Sequence, residues 1–281
     1  MGEFTNKIDF EVLIMVKNAN PNGDPLNGNR PRETYDGFGE ISDVCIKRKI
    51  RNRLQDMGEK IFVQSDERSD DECRSLAERA KKNADMQKAL KDKNKDAYAK
   101  AACETWIDVR SFGQVFAFKD DSVSVGVRGP VSIHSAFSVL PVSVNSMQIT
   151  KSVNSETKEK KSSDTMGMKH KIYSALYVVK GSINHQLAGK IGFSDKDAEK
   201  IKEALRTLFV NDSSSARPDG SMEVCKVYWW KHNCPMGQYS SAKVHRLIKI
   251  SARTDDPKEF EDYDIVIDTL PDLMLEEIEG I

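Results

Sequence analysis

Apolar residues at both odd and even positions mark segments of the chain as interior strands. Residues 9–17 read DFEVLIMVK and residues 171–180 read KIYSALYVVK, so each segment is apolar on both faces. This pattern is typical of the interior of a sheet, and we predict that residues 9–17 form a central strand. Residues 222–231, MEVCKVYWWK, are rich in aromatic and β-branched residues, which predicts another strand.

Two stretches have the spacing of amphipathic helices. The first follows Ser42 or Asp43, either of which can cap it, and the second spans residues 194–209, where Ser194 and Asp197 suit a capping box. Each repeats apolar residues every three or four positions, which predicts one buried face. The apolar positions of the first helix are Ile46, Ile50, Leu54 and Met57.

Other segments elaborate this framework. Residues 65–104 mix acids and bases densely around a thin apolar stripe, which predicts a helical insertion in the form of a solvated helix pair. Residues 106–118 and 122–132 are predicted to be sheet-like. Residues 150–165, TKSVNSETKEKKSSDT, cannot bury themselves, so we expect a projecting hairpin tip or a disordered loop. Residues 239–250 fit a helix or a strand equally well.

Without the insertions, the predicted order is strand, basic helix, two strands joined by a hairpin, helix, strand. This is the βαββαβ order of ferredoxin-like and RRM-like domains, an α+β fold. Many RNA-binding domains share it, and so do many unrelated proteins. The order therefore predicts a fold class but not a function.

Composition limits the possible functions. The 281 residues include 43 Lys and Arg against 44 Asp and Glu, so a nucleic acid would have to bind a local basic patch. The five cysteines are scattered and odd in number, which predicts reduced thiols in a cytosolic protein. The longest apolar run near the start, residues 12–16, is too short for a signal peptide or a membrane span, so we expect a soluble cytoplasmic protein.

A local basic patch does occur, in residues 18–53. A loop containing Pro21, Gly23 and Pro25, with asparagines around them, has the ingredients of a fixed shape. The helix that follows carries several cations close together. These cations repel one another, so a bound polyanion would remove an unfavourable electrostatic energy. A solvated basic face is the ordinary alternative. The helix cations are Lys47, Arg48, Lys49, Arg51 and Arg53.

Two further stretches carry candidate contacts. Arg128 stands among small residues on one face of an alternating segment, where a ligand can lie flat, although an ordinary surface arginine would look the same. Residues 166–170, MGMKH, adjoin the polar loop, and their methionines can wedge against bases while Lys169 and His170 meet phosphates. The alternative is a mobile charged loop that touches nothing.

These stretches also resemble a known family. The chain is similar to the repeating backbone subunit of subtype I-C CRISPR Cascade surveillance complexes, in the Cas7 group of the RAMP superfamily. The motifs that carry the resemblance are NPNGDP and GNRPR within residues 20–32, SDVCIKRKIRN (42–52), DVRSFGQVF (108–116), VRGPVS (127–132), DTMGMKH (164–170), GFSDKDAE (192–199) and NDSSSARPDG (211–220).

The resemblance implies an architecture and a function. Residues 1–64 and 105–281 would form an RRM-like palm with a thumb hairpin at about 145–170, and residues 65–104 the helical fingers. Copies would polymerise head to tail as a helical filament along one CRISPR RNA, with other Cascade subunits, in antiviral defence. They would hold the sugar–phosphate backbone so that the bases pair with target DNA, without a cofactor, a metal or a membrane. A neighbour's thumb would form the opposing wall of the groove.

The residues predicted to bind RNA combine the basic helix, the loop before it, the alternating segment and the hairpin flank. They are Asn20, Asn22, Arg30, Arg32, Lys47, Arg48, Lys49, Arg51, Asn52, Arg128, Met166, Lys169 and His170. All are side chains suited to phosphate, sugar or stacking contacts that do not read sequence.

The alternative is a metal-dependent endoribonuclease of the RAMP kind. Related backbone subunits of type III complexes cut RNA with an aspartate after the first strand, and Asp24 occupies the comparable loop. Asp24 lies in the run NGDP, however, where a turn-forming aspartate is the simpler interpretation. The five histidines show no metal-ligand spacing. We therefore predict no catalysis.

Overall fold

The computed structural model describes residues 3–118, 124–150 and 166–281. The predicted hairpin tip is residues 150–165, and all of it except Thr150 lies outside the described residues. The strands are β1 (Ile8–Ala19), β2 (Gly23–Asp24), β3 (Arg30–Pro31), β4 (Phe38–Ile41), β5 (Gln114–Phe116), β6 (Val125–Val127), β7 (Val131–Ile133), β8 (Ala136–Pro141), β9 (Val144–Thr150), β10 (Met166–Ile183), β11 (Met222–Lys231), β12 (Ile248–Ala252), β13 (Tyr263–Ile267) and β14 (Met274–Glu279). The helices are α1 (Asp43–Asp56), α2 (Leu76–Lys82), α3 (Ala84–Lys91), α4 (Lys95–Thr105), α5 (Ile107–Phe112), α6 (His185–Ile191), α7 (Asp195–Arg206) and α8 (Ser241–Val244).

An antiparallel sheet organises the fold. Its strands lie in the order β14-β11-β1-β10-β8-β4, and β7 and β9 also pair with β10. The central position of β1 is confirmed, because β10 and β11 flank it along most of its length. The α+β class is confirmed as a mixed fold built on a large antiparallel sheet.

Helices α1 and α7 cover one face of this sheet, and local signals fix where they begin. Ser42 caps α1 by accepting a hydrogen bond from the backbone NH of Cys45 at 3.3 Å. Ser194 and Asp197 form the expected capping box at the start of α7. The apolar stripe of α1 packs into the core as predicted, with Met57 partly buried beside it. The buried residues of this stripe are Ile46, Ile50 and Leu54.

The opposite face of the sheet packs against the C-terminal part of the chain. Leu13 and Met15 of β1 contribute to a second core together with residues of β10, β11 and the β12–β13 hairpin. Residues 239–250, for which the sequence fits a helix or a strand equally well, contain one of each, namely α8 and the start of β12. Among the described residues, no helix combines the length and the apolar character needed to cross a membrane.

The insertion differs from the predicted solvated helix pair. It contains three helices, α2, α3 and α4, whose apolar residues form a core of their own. Phe62, Trp106 and Phe116 complete this core from outside residues 65–104. The apolar stripe looked thin because much of its partner surface comes from flanking sequence.

The predicted sheet character of residues 106–118 is wrong for their first half. Residues 107–112 form α5, which ends at Gly113, where φ is 80° and the left-handed backbone favours glycine. Ile107 packs into the core under α1, whereas Val109 packs into the core of the insertion. A helix that contacts two cores has apolar residues on two sides and therefore lacks the amphipathic pattern of a surface helix. Apolar residues on two sides are also typical of a buried strand, which is why the sequence predicts a strand here.

Candidate nucleic-acid interface

Asparagines hold the loop between β1 and α1 in a fixed shape. The Asn20 side chain is 4% exposed and donates through Nδ2 to the Asn29 carbonyl at 2.7 Å. Asn22 Oδ1 accepts hydrogen bonds from the backbone NH of Ser42 at 2.9 Å and from its hydroxyl at 2.8 Å. Both asparagines are predicted to bind RNA. In the structure the Asn20 amide nitrogen holds the loop together and the Asn22 amide oxygen joins it to the cap of α1, whereas Asn20 Oδ1 is buried without a hydrogen bond.

Asp24 and Arg32 also stabilise this loop. The Asp24 carboxylate accepts from the backbone NH of Leu26 at 3.2 Å and caps a single 3₁₀ turn, as a turn-forming aspartate does. Arg32 Nη2 lies 3.6 Å from the same carboxylate. Within the described part of the chain, no group of three or more His, Cys, Asp and Glu residues is arranged to hold a metal ion.

The loop meets the β9–β10 hairpin at Ser146. Arg30 Nη1 donates to Ser146 Oγ at 2.9 Å, and His170 Nδ1 lies 2.8 Å from the same oxygen. Ser146 and His170 are directly opposite each other in the β9–β10 ladder. Two of the predicted residues, Arg30 and His170, are therefore brought together within one chain.

The hairpin presents different chemistry on its two faces. Met166 and Met168 lie on the same face as His170, because successive side chains of a strand alternate. These methionines are 59% and 54% exposed. Lys169 lies on the other face, opposite Met147. Residues 166–170 thus present two methionines and His170 on one face of the hairpin and Lys169 on the other.

Carboxylates, one within α1 and two from elsewhere in the chain, already compensate much of the charge on α1. The expectation that its cations repel one another until a polyanion binds is therefore wrong. Two of these acids lie far from α1 in the chain, so no pattern within α1 indicates them. The ion pairs are Lys47–Asp43 at 2.9 Å, Lys49–Asp212, and Arg51–Asp108 at 3.0 Å.

The buried pair Lys49–Asp212 is internal to the protein. The Lys49 side chain is 4% exposed, and burial lowers its pKa, an effect that Asp212 partly reverses. Lys49 therefore anchors the loop after α7 to α1. A nucleic acid could reach it only by displacing Asp212.

A polar cleft of about 730 Å³ lies between α1 and the loop of residues 211–217. Arg48 reaches it from α1, where its Nη1 donates to the Val63 carbonyl at 2.8 Å. Burial and the nearby Arg51 lower the pKa of Arg48, but an arginine keeps its charge at neutral pH. The side chains that line the cleft include Arg48, Lys49, Asn52, Ser65, Glu67, Arg68, Asp212, Ser213, Ser214 and Arg217.

Sequence reasoning missed part of this cleft. The predicted RNA-binding residues do not include Arg68, Arg217 or the serines at positions 213 and 214. The motif NDSSSARPDG, which contains three of these four residues, entered only as part of the family resemblance. Consecutive serines followed by an arginine are a usable signal for an anion site. The backbone NH of Asn20 donates to the Ala216 carbonyl at 2.9 Å. The loop between β1 and α1 therefore contacts the loop that borders the cleft, and through Arg30 it also contacts the hairpin.

Arg128 is not among the residues that line the cleft. It is exposed and precedes β7, which pairs with residues 181–183 of β10. The hairpin occupies the opposite end of β10, at residues 166–172. The structure therefore joins Arg30 and His170 at one place and Arg48 and Asn52 at another, while Arg128 belongs to neither.

Comparisons with known proteins agree on one family. A family model described as CRISPR-associated protein Cas7 matches residues 6–268. A curated relative from Haloferax volcanii, described as CRISPR-associated protein Cas7, is 33% identical over 115 residues, which are 41% of this chain and 33% of that protein. The match thus spans about a third of the relative's length.

Two solved structures are also similar. A CRISPR RNA-guided surveillance complex in a pre-nicking state gives a TM-score of 0.48 at 16% identity, covering 80% of this chain and 76% of that chain. A second CRISPR RNA-guided surveillance complex gives a TM-score of 0.45 at 16% identity, covering 80% of this chain and 69% of that chain.

Proposed function

This chain belongs to the CRISPR-associated protein Cas7 family, whose model matches residues 6–268, and from this membership we propose that it is a backbone subunit of a subtype I-C CRISPR RNA-guided surveillance complex. Copies of it polymerise head to tail along one CRISPR RNA in the cytoplasm. Each copy holds the sugar–phosphate backbone of the guide and leaves its bases free to pair with target DNA.

The convergence at Ser146 carries this proposal. Arg30 and His170 reach the same hydroxyl from two separate elements, at 2.9 and 2.8 Å. Each guanidinium has five donors, so Arg30 can keep this contact and still bind a phosphate oxygen. A cation held in place before binding loses less conformational freedom when the phosphate arrives.

The rest of the interface suits contacts that are independent of sequence. Arginine, serine and asparagine side chains line the cleft beside α1. Such groups bind phosphates and sugars and position the nucleic acid on the protein, but they do not distinguish one base from another. The exposed Met166 and Met168 can wedge between bases beside the His170 face of the hairpin. A subunit that must accept any guide needs this combination.

The strand order supports the proposed palm. Strands β11, β1, β10 and β8 lie side by side, with α1 after β1 and α7 between β10 and β11. A βαββαβ palm requires that arrangement. We assign residues 1–64 and 105–281 to the palm, residues 65–104 to the fingers and residues 145–170 to the thumb. The motifs NPNGDP, DVRSFGQVF and NDSSSARPDG support the subtype.

The RNA that co-purifies with the protein tests the proposal. We expect expression with a CRISPR array to yield RNA of uniform length carrying repeat-derived ends, in particles that appear as helical strings in electron micrographs. The double variant R30E/H170E should recover much less RNA, because it places two carboxylates at the Ser146 junction. Heterogeneous cellular RNA, bound equally by the variant, would contradict the proposal.

We further propose that the subunit does not cleave RNA. Asp24 caps a turn and lies beside Arg32, and these contacts support a role in shaping the loop. We expect the assembled complex to leave complementary RNA intact in the presence of divalent metal ions. Cleavage by the native complex that is abolished in Asp24→Ala would assign Asp24 to a catalytic site and overturn this proposal. The matched variant Asp36→Ala, in the next turn of the same loop, controls for loop damage.

A further inference from the structure

A cavity of about 330 Å³ lies on the sheet face opposite α1. Glu11 lines it and shares its strand face with Leu13 and Met15, which belong to the core on that side of the sheet. β8 and β10 form one side of the cavity and β12 the other. The cavity is therefore separated by the sheet from the proposed RNA-binding surface on α1.

The Glu11 carboxylate in this cavity has a distant ionic partner, Lys180, but its Oε2 atom lacks a hydrogen bond. The residue is 1% exposed, and its Oε2 atom accepts no hydrogen bond. The ammonium of Lys180 lies 3.9 Å away, beyond hydrogen-bonding distance, and donates instead to the His245 carbonyl at 3.1 Å. Burial raises the pKa of Glu11 to about 7, although Lys180 acts in the opposite direction. A buried carboxylate without a hydrogen bond is unfavourable, and a cation that reached it would remove this cost.

The walls define what kind of cation fits. Phe137, Val178, Ile248 and Ile250 are apolar and line the approach to Glu11. A ligand with an apolar stem and a charged head would bury both parts favourably. Glu11 is 1% exposed, so little of its carboxylate is open to a ligand, which suits a compact ammonium better than a bidentate guanidinium.

We propose that this cavity binds a primary alkylammonium group, with its nitrogen beside the Glu11 carboxylate and its stem between β10 and β12. The group belongs either to a free amine or to a lysine side chain of a second copy of this chain. The chemistry is the same for both sources, and the experiment separates them.

The test uses the purified full-length protein and n-butylammonium chloride in isothermal titration calorimetry. We expect saturable binding of n-butylammonium and none of n-butanol, which has the same stem without the charge. Glu11→Gln, which keeps the shape of the side chain, should weaken binding about tenfold or more, since it removes a charge-assisted hydrogen bond. Lys180→Met should tighten binding several-fold, because it removes the competing ammonium.

Three outcomes would overturn the proposal. They are the absence of n-butylammonium binding to the native protein, equal binding to Glu11→Gln, and equal binding of n-butanol. If Glu11→Gln fails to fold, the Lys180→Met variant still decides, since unchanged or weaker binding would place the ammonium elsewhere.

Sedimentation velocity then separates the two sources. If the group is a lysine of a second copy, both n-butylammonium and Glu11→Gln should reduce self-association of the chain. If the source is a free amine, sedimentation should be the same in all samples. Because the cavity lies across the sheet from α1, Glu11→Gln should retain guide RNA, so failure of this site and failure of the proposed function are distinguishable.

Discussion

Replacing Asp108 with alanine is expected to lower the free energy of unfolding by about 3–5 kcal/mol. The Asp108 carboxylate is 1% exposed and accepts hydrogen bonds from the backbone NH groups of Phe62 at 2.7 Å and Val63 at 3.1 Å. It also accepts from Arg51 Nε at 3.0 Å. The variant leaves a mostly buried guanidinium without its counter-ion and two amides without their acceptor. Urea denaturation monitored by tryptophan fluorescence measures the loss.

A matched control is Asp264→Ala, which removes an exposed carboxylate from its ion pair with Arg253 at 2.7 Å. That pair is solvated, so we expect a change of no more than about 1 kcal/mol. Asp108→Asn should fall between the two, because its amide oxygen can still accept from the backbone. A loss in Asp108→Ala no larger than that in Asp264→Ala would show that the carboxylate is not a structural centre.

The sequence allowed prediction of elements whose signals are local. Strand β1 is apolar on both faces and lies at the centre of the sheet, between β10 and β11. Helix α7 has its capping box within four consecutive residues, Ser194 to Asp197, and a regular apolar stripe. In each case the residues that determine the element are neighbours in the chain, and a single window contains the whole signal.

The residues that neutralise α1 could not be predicted in this way. Asp108 is 57 positions from Arg51, and Asp212 is 163 positions from Lys49. Nothing within α1 indicates that these acids will fold against it. The same limitation explains α5, since a helix buried against two cores, with Asp108 and Ser111 buried as well, has no solvent-exposed face to reveal its period.

This long-range pairing also changes which residues test RNA binding. Lys49 is an unsuitable target, because removing its charge would leave the Asp212 carboxylate with only its longer contact to Arg217 Nε, at 3.3 Å, and destabilise the protein. Arg30 and Arg48 are better targets, since Arg30 contacts a serine hydroxyl and Arg48 a backbone carbonyl. Arg30 also lies 3.9 Å from the Glu33 carboxylate, but Glu33 is partly exposed, so these replacements leave no buried acid behind.

The double variant R30Q/R48Q is expected to weaken guide binding about 100-fold, since each charge-assisted phosphate contact contributes about 1.5–3 kcal/mol. The loss should be the same for guides with unrelated spacers. The plot of log affinity against log salt should become shallower by about 0.7 for each phosphate contact removed from a single strand. Filter binding at several salt concentrations measures both quantities.

The control variant K249Q/R253Q removes the same number of charges from the exposed β12 region, where Lys249 and Arg253 pair with Asp268 and Asp264. It should leave both the affinity and the salt slope unchanged, so an equal loss there would mean that overall charge governs binding. A loss in R30Q/R48Q that depended on the spacer would instead mean that these arginines read bases. Only a loss that is uniform across spacers, confined to R30Q/R48Q and accompanied by a shallower slope fits phosphate contacts at the Ser146 junction and in the cleft.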